Sequence, residues 1–394
     1  MFYLLIPSKI VSQVNAVGNP SFEDYYSCSL PNYVSRAKYW NSIDSAKLGY
    51  AGKYFNTCLS NVPSNANTFQ YPRTGNAYIL GTQFCATGCS PPVLRQYPKN
   101  RLIVPLISGK TYCVKMYVSI ANTSPYGNDA FGMYFTNSSI DTTSQCGLPL
   151  TYLTPQVKNP TGNIIIDTLN WIEVSGTYTA TGNEIYLVLG NFISDGSVNK
   201  TFINGTFPGI WTDVAYDDVS VIDFNLAAYA GPDKNINLGD SAFIGRPPEI
   251  GLECTWSSGT VSIGSGGGIW VKPPSAGTYS YIVTQNICGL IKKDTVNVNV
   301  SPGFVSENEL FSQSIRIYPQ PAKDLLNISL NYFYEKRIEI KIIDVTGREI
   351  ERKELLVENS KAQLGLGNIS EGVYTIQMGN LLGQTAQKRL VITR

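Results

Sequence analysis

The sequence predicts an all-β protein, and three observations carry that prediction. Apolar and polar residues alternate with period two, most cleanly where Ile338, Ile340 and Ile342 interleave with Arg337, Glu339 and Lys341. Such alternation marks strands with one buried face. Tyrosine is abundant at 25 residues, and 35 glycines and 22 prolines punctuate the chain, whereas the 3.6-residue period of amphipathic helices is nearly absent. Strands joined by turns have this composition. The length, 394 residues, suffices for several hydrophobic cores. The expected arrangement is a β-sandwich over residues 14–225, a second β-sandwich over 226–301, a linker over 302–313 and a small β-sandwich over 314–394.

Charge and composition exclude several functions. The net charge is +1 and only 15% of residues are charged, so no basic stripe suits nucleic acid. Histidine is absent, which removes Ser-His-Asp and Cys-His catalysis and His-containing zinc sites. Carboxylate-pair hydrolysis remains open. The first 13 residues, with Met1, Phe2, Tyr3, Leu4, Leu5 and Ile6 at their head, read as the remnant of a secretory signal peptide. No later stretch reaches the roughly 18 apolar residues of a membrane span, so the expectation is export without a membrane span.

In residues 14–225, strand signals recur between Gly-, Pro- and Asn-rich turns. In the stretch from Thr111 to Val118, Val114, Met116 and Val118 share one face and Lys115, Tyr117 and Ser119 the other. A sandwich buries the first set and leaves the second on a sheet surface. Further motifs are Gly18 to Asp24 (GNPSFED), Tyr54 to Cys58 (YFNTC), Thr74 to Tyr78 (TGNAY), Gly176 to Ala180 (GTYTA), Gly190 to Phe192 (GNF) and Tyr216 to Val219 (YDDV). As an ordered set they resemble a jelly-roll, carbohydrate-binding-module-like domain of bacterial cell-surface proteins. The resemblance implies a glycan or surface polysaccharide partner. It also implies that Glu23, Asp217 and Asp218 meet at a structural calcium, with backbone carbonyls completing the oxygen shell.

Residues 226–301 carry Cys254, Thr255 and Trp256, a Gly277-Thr-Tyr strand, and a closing strand in which Val296, Val298 and Val300 alternate with Asn297 and Asn299. A Trp on one inner strand facing such a partner suits an Ig-like sandwich, and the segment resembles the PKD or Ig-like spacers of secreted bacterial proteins. The glycine-rich run Gly264 to Gly268 lacks a following Lys-Ser/Thr and reads as a flexible hairpin tip.

In residues 314–394, Tyr318, Pro319, Gln320 and Pro321 give a proline-rich entry. Asp344, Thr346, Gly347 and Arg348 supply a turn, Gly372, Val373 and Tyr374 open a strand, and a basic-apolar run ends at Arg394. Together these resemble the type A C-terminal sorting domain of the type IX secretion system of Gram-negative bacteria. The resemblance implies the secretion machinery as a partner and the cell surface or medium as the destination.

Eight cysteines in an exported chain read as disulfides. The expected pairs follow sequence order: Cys28–Cys58, Cys85–Cys89, Cys113–Cys146 and, within the second sandwich, Cys254–Cys288. Aromatic rings crowd the first domain, and flat rings stack on pyranose faces while amides and carboxylates read hydroxyls. Tyr25, Tyr26, Trp40, Tyr50 and Tyr54 are the candidate ligand-binding residues. The functional expectation is a secreted, non-enzymatic surface binding protein of the adhesin or matrix type that recognises glycan. The alternatives are a structural subunit of a surface layer or filament, and a carbohydrate-active enzyme.

Overall fold

The computed structural model describes residues 14–394 apart from 29–32, 44–51, 60, 66, 86–94, 141–148, 204–210, 303–306, 332–335 and 381–382. The chain forms two compact units, Met1–Ser301 and Pro302–Arg394.

The first unit opens with β1 (Trp40–Ser42), β2 (Lys53–Asn56), β3 (Ala77–Cys85), β4 (Pro98–Arg101), β5 (Thr111–Ile120) and β6 (Tyr126–Asn128). It continues with β7 (Gly132–Thr136), β8 (Val157–Lys158), β9 (Ile172–Thr179), β10 (Tyr186–Gly190), β11 (Lys200–Phe202) and β12 (Trp211–Asp223). Two five-stranded sheets result, ordered β1-β4-β10-β7-β8 and β2-β3-β12-β5-β9. With the edge strands β1 and β2 set aside, the remaining eight in chain order read first-eighth-third-sixth in one sheet and second-seventh-fourth-fifth in the other. That interleaving is two Greek keys wound into a jelly roll. Val114, Met116, Val118 and Ile120 from β5 meet Met133 and Phe135 from β7 and Leu187 and Leu189 from β10 in the core between the sheets.

A bulge in β12 decides where two carboxylates go. Val214 and Tyr216 point into the core, the register shifts between Asp217 and Ser220, and inward residues resume at Val219 and Val221. The extra residue, with Asp218 at φ 48°, turns both Asp217 and Asp218 away from the core.

Both outer faces of the jelly roll are covered in part. Lys115, expected on a sheet surface, is buried and ion-paired to Glu173 at 3.3 Å and Glu253 at 2.6 Å. Ser119 is buried beneath Gln70, and Tyr117 lies under the Arg73 guanidinium at 3.5 Å. The alternation was legible in the sequence, but the cover over that face comes from distant segments. On the other sheet, Ile43, Tyr97, Val188 and Phe192 form a second cluster closed by Leu150, Ile140 and Leu153, while Lys99 Nζ reaches Ser139 Oγ at 2.8 Å.

The second sandwich comprises β13 (Lys234–Asn237), β14 (Ala242–Gly245), β15 (Glu253–Ser258), β16 (Val261–Ser265), β17 (Gly268–Val271), β18 (Gly277–Ile287) and β19 (Leu290–Ser301). A sheet ordered β13-β19-β18-β15-β16, with β13 parallel to β19, packs with the β14-β17 pair in an Ig-like arrangement. Trp256 is buried at its centre and donates from Nε1 to Gly266 O at 3.0 Å. The glycine run expected to be a flexible tip is therefore packed: it joins β16 to β17, and a Cβ at Gly268 would sit 2.5 Å from the Phe243 ring.

The second sandwich is not a free spacer. Cys113 on β5 is bonded to Cys288, and Cys113 and Ile222 share a buried cluster with Leu252, Cys254 and Trp256. Asn15 Nδ2 donates to Val219 O and Ile250 O, while its Oδ1 accepts from Val221 N–H. The expected pairs Cys113–Cys146 and Cys254–Cys288 are thus corrected. Cys254 points inward on β15 as a buried thiol, and burial pushes its pKa up to about 11. Cys28–Cys58 forms as expected. Cys85 is disulfide-bonded, and Cys89 and Cys146 lie outside the described residues.

The second unit contains α1 (Glu307–Ser314), which occupies much of the expected linker, then β20 (Ile315–Tyr318), β21 (Leu325–Leu330), β22 (Arg337–Ile343), β23 (Glu349–Leu356), β24 (Lys361–Gly365), β25 (Gly372–Gly379) and β26 (Thr385–Ile392). Sheets β20-β21-β24 and β23-β22-β25-β26 enclose Ile338, Ile340 and Ile342, as their alternation requires. Asp344 Oδ1 accepts from the N–H groups of Thr346 and Arg348, and Gly347 at φ 84° completes the turn from β22 to β23.

Candidate functional site

The first-domain motifs converge on one short loop, residues 73–77. Glu23 Oε1 accepts the N–H groups of Asn76 and Ala77 at 2.8 and 3.0 Å. Gly75, at φ +63°, leaves room for that carboxylate, which a Cβ would meet at 2.3 Å. From the other side Asp217 Oδ2 accepts Arg73 N–H at 2.7 Å and its Oδ1 accepts Asp218 N–H. Asp218 takes Thr74 Oγ1 at 2.6 Å and Arg73 Nη1 at 2.5 Å. Burial, then the neighbouring Asp218 charge, pushes the Asp217 carboxyl well above the usual aspartate range, against the pull of its N–H donors.

The sequence thus brings Glu23, Asp217 and Asp218 to one place, but as acceptors for the loop. N–H, O–H and guanidinium donors point at the oxygens that calcium would need. Among the described residues no group of three or more His, Cys, Asp or Glu is arranged to hold a metal. The donor set does not fit the expected ion, and these residues are assigned to loop anchoring.

The candidate rings separate by burial. Trp40 is 3% exposed, packs against Phe22 in a tilted arrangement with centroids 4.8 Å apart, and donates from Nε1 to Asn19 O at 2.9 Å. Tyr54 is fully buried, donates to Phe22 O at 3.1 Å and accepts from Asn56 Nδ2. Burial pushes its phenol above the ordinary tyrosine value. Both are core residues, which corrects their assignment to ligand binding. Tyr50 lies outside the described residues. Tyr25 and Tyr26 are 37% and 71% exposed.

Tyr26 borders a surface groove of about 590 Å³ lined also by Lys38, Tyr39, Arg101, Leu102 and Ile103. Its walls are held by backbone bonds: Tyr26 N–H to Arg36 O at 3.0 Å, Lys38 N–H to Asp24 O at 2.9 Å, and Arg101 N–H to Tyr39 O at 3.1 Å. Asn19 braces the turn, donating from Nδ2 to Asp24 O and Lys38 O. Tyr39 adopts φ 67°, a left-handed conformation unfavourable for a bulky residue. Its ring covers Gly18, where a Cβ would come within 2.5 Å of Cγ. The sequence reading missed Lys38, Tyr39 and Arg101. The adjacent rings Tyr39 and Trp40 were the available signal, since neighbours entering a strand face opposite sides and only one can be core. Arg101 gives no signal of its own.

A smaller cavity, about 50 Å³ and lined by Asp129, Asn159, Asn191 and Phe192 among others, holds a water or two rather than a sugar ring.

Residues 316–393 match the family described as the secretion system C-terminal sorting domain. No curated protein matches the chain. Solved structures with detectable likeness include the titin I67–I69 fragment, at 15% identity and a TM-score of 0.18, covering 43% of this chain and 64% of that one. SGBP-B of the Bacteroides ovatus mixed-linkage glucan utilization locus was solved in complex with a mixed-linkage heptasaccharide. It has 15% identity and a TM-score of 0.17 over 41% of this chain and 42% of its own. Bacteroides uniformis β-glucuronidase 3 has 12% identity and a TM-score of 0.16 over 42% of this chain and 24% of its own. Scores this low support no inference of function. The chain therefore ends in a type IX secretion sorting domain, and it is exported to the surface or surroundings of a Gram-negative bacterium.

Proposed function

We propose that the protein is a surface binding protein of the adhesin or matrix type, without catalytic activity, that takes a glycan in the Tyr26–Tyr39 groove. The observation that supports this reading is the pair of exposed tyrosines, 71% and 51% accessible, on a groove whose backbone is tied down on all sides. Rigid scaffolds with fixed rim loops are where binding residues concentrate. A ring kept in water, on a residue held at positive φ, is costly to stability and calls for another use.

Stacking plus a few hydrogen bonds in so open a site gives weak affinity, with Kd of about 10 µM to 1 mM. Many copies on a cell make such affinity useful through avidity. The test is affinity electrophoresis of the full chain in gels containing neutral and acidic polysaccharides. At least one polymer should retard the protein, and Tyr26→Ala and Tyr39→Gly should each weaken the retardation without lowering the melting temperature. A chain that migrates freely through every polymer sinks the reading.

A second reading, a structural subunit of a surface layer or filament, has its own support. Trp270 is 71% exposed on β17 beside Phe243, and Val261 and Ile263 are exposed on β16, an edge strand. Edge strands with apolar side chains invite pairing between chains. Sedimentation of wild type against Trp270→Ser decides it: a concentration-dependent assembly lost in the variant favours this reading, and a monomer in both removes it.

A further inference from the structure

Resting on the glycan reading above, we propose that the groove selects acidic polysaccharide, whose pyranose rings carry carboxylates. Its lining supplies two cations, Lys38 and Arg101, and no carboxylate. Among the described residues neither cation is ion-paired. The chain as a whole carries only +1, so two cations on one groove, without an ion pair among the described residues, reflect local placement rather than general basicity.

Their chemistry is complementary. The Arg101 guanidinium is a planar fork suited to bidentate contact with a carboxylate, and the Lys38 ammonium is a mobile point charge. The backbone at both is fixed, Arg101 N–H to Tyr39 O and Lys38 N–H to Asp24 O, so both side chains start from set positions on the groove that Tyr39 lines. A uronate whose ring face lies on a tyrosine can therefore direct its carboxylate to Arg101 or Lys38. An opposing charge, Asp24, stands across from Lys38 in the short antiparallel pairing centred on Tyr25 and Ala37. It makes no ion pair with Lys38 and acts as a brake on anion binding.

The probe is polygalacturonate set against its methyl ester, the same backbone with the charge removed, both with the full-length chain at fixed salt. The acidic polymer should bind about tenfold or more tightly than the ester. Arg101→Gln and Lys38→Gln should each erase most of that difference, and Asp24→Asn should widen it. Tyr26→Ala should weaken retention on both polymers. Equal retention on acid and ester, unchanged by Arg101→Gln, overturns acidic selection and leaves glycan binding standing. Binding confined to a neutral polymer does the same. Retention on the acid that survives Tyr26→Ala marks diffuse charge attraction outside the groove and overturns the proposal. If neither these polymers nor any other polysaccharide retards the chain, the glycan reading falls with it.

Discussion

Tyr39 and Trp40 are neighbours in the chain and opposites in environment. Trp40 enters β1, turns inward and fills space against Phe22, while Tyr39, held at φ 67°, stays in water over Gly18. Side-chain size and chemistry do not distinguish them, but the left-handed turn before the strand does. Trp40→Ala should cost about 3 to 5 kcal/mol, the range for a deleted core aromatic. Tyr26→Ala should stay within about 0.5 kcal/mol, as surface changes do. Urea denaturation of the two variants checks both values. A mild Trp40→Ala would mean that the Phe22 contact is not part of the core. Trp40 and Tyr54 thus support the fold, whereas Tyr26, Lys38, Tyr39 and Arg101 line the surface groove.

At the scale of elements, the bulge in β12 and the loop at 73–77 form one device. An unbroken β12 would alternate and send one of Asp217 and Asp218 into the core. The bulge turns both outward to meet Arg73 and Thr74, and Glu23 closes the loop from the opposite side. Removing one partner from a buried pair leaves a charge without compensation. Asp218 is 1% exposed and Arg73 35%. Solvent already screens part of the pair, so Arg73→Ala should cost about 2 to 3 kcal/mol rather than the full penalty.

The pH dependence has a definite sign. A carboxyl whose folded pKa lies above its unfolded value, as burial and Asp218 arrange for Asp217, binds protons more readily when folded. It opposes stability as pH rises from the ordinary aspartate range toward that higher value. Asp217→Asn should therefore cost less stability at pH 7 than near pH 4, measured by thermal melts in matched salt. The reverse trend would contradict the burial of these carboxylates.

At the scale of the molecule, the Cys113–Cys288 bond governs the first unit. It closes a separation of 175 residues, and on the chain-entropy estimate such a loop contributes about 5 kcal/mol. Non-reducing peptide mapping should recover the Cys113–Cys288 cross-link, and alkylation of the native protein should spare Cys254. The double variant Cys113→Ser with Cys288→Ser should unfold at lower denaturant. A recovered Cys254–Cys288 peptide would overturn the joint. The physical consequence of this bond, with the buried Lys115 between Glu173 and Glu253, is that the Ig-like sandwich covers a face of the jelly roll rather than extending it.

Features that depend on near neighbours along the chain were legible in the sequence. Period-two alternation set the inward faces of β5, β19 and β22, and Asp344 with Gly347 set a turn. The proline entry, the Asp-Gly-Arg turn and the basic-apolar end together marked the sorting domain, because its signature is contiguous. Cys28–Cys58 also followed, as a link between cysteines 30 residues apart. Tertiary structure alone decided whatever joins distant segments. A cysteine on β5 pairs beyond its own domain because the second sandwich brings Cys288 to it. Lys115 is buried because Glu253 arrives from another sheet. Glu23, Asp217 and Asp218 converge as foreseen, yet serve a loop, because Arg73 and Thr74 reach their oxygens. Alternation states that a strand has two faces; which face meets water depends on what packs there, and a linear pattern does not encode that.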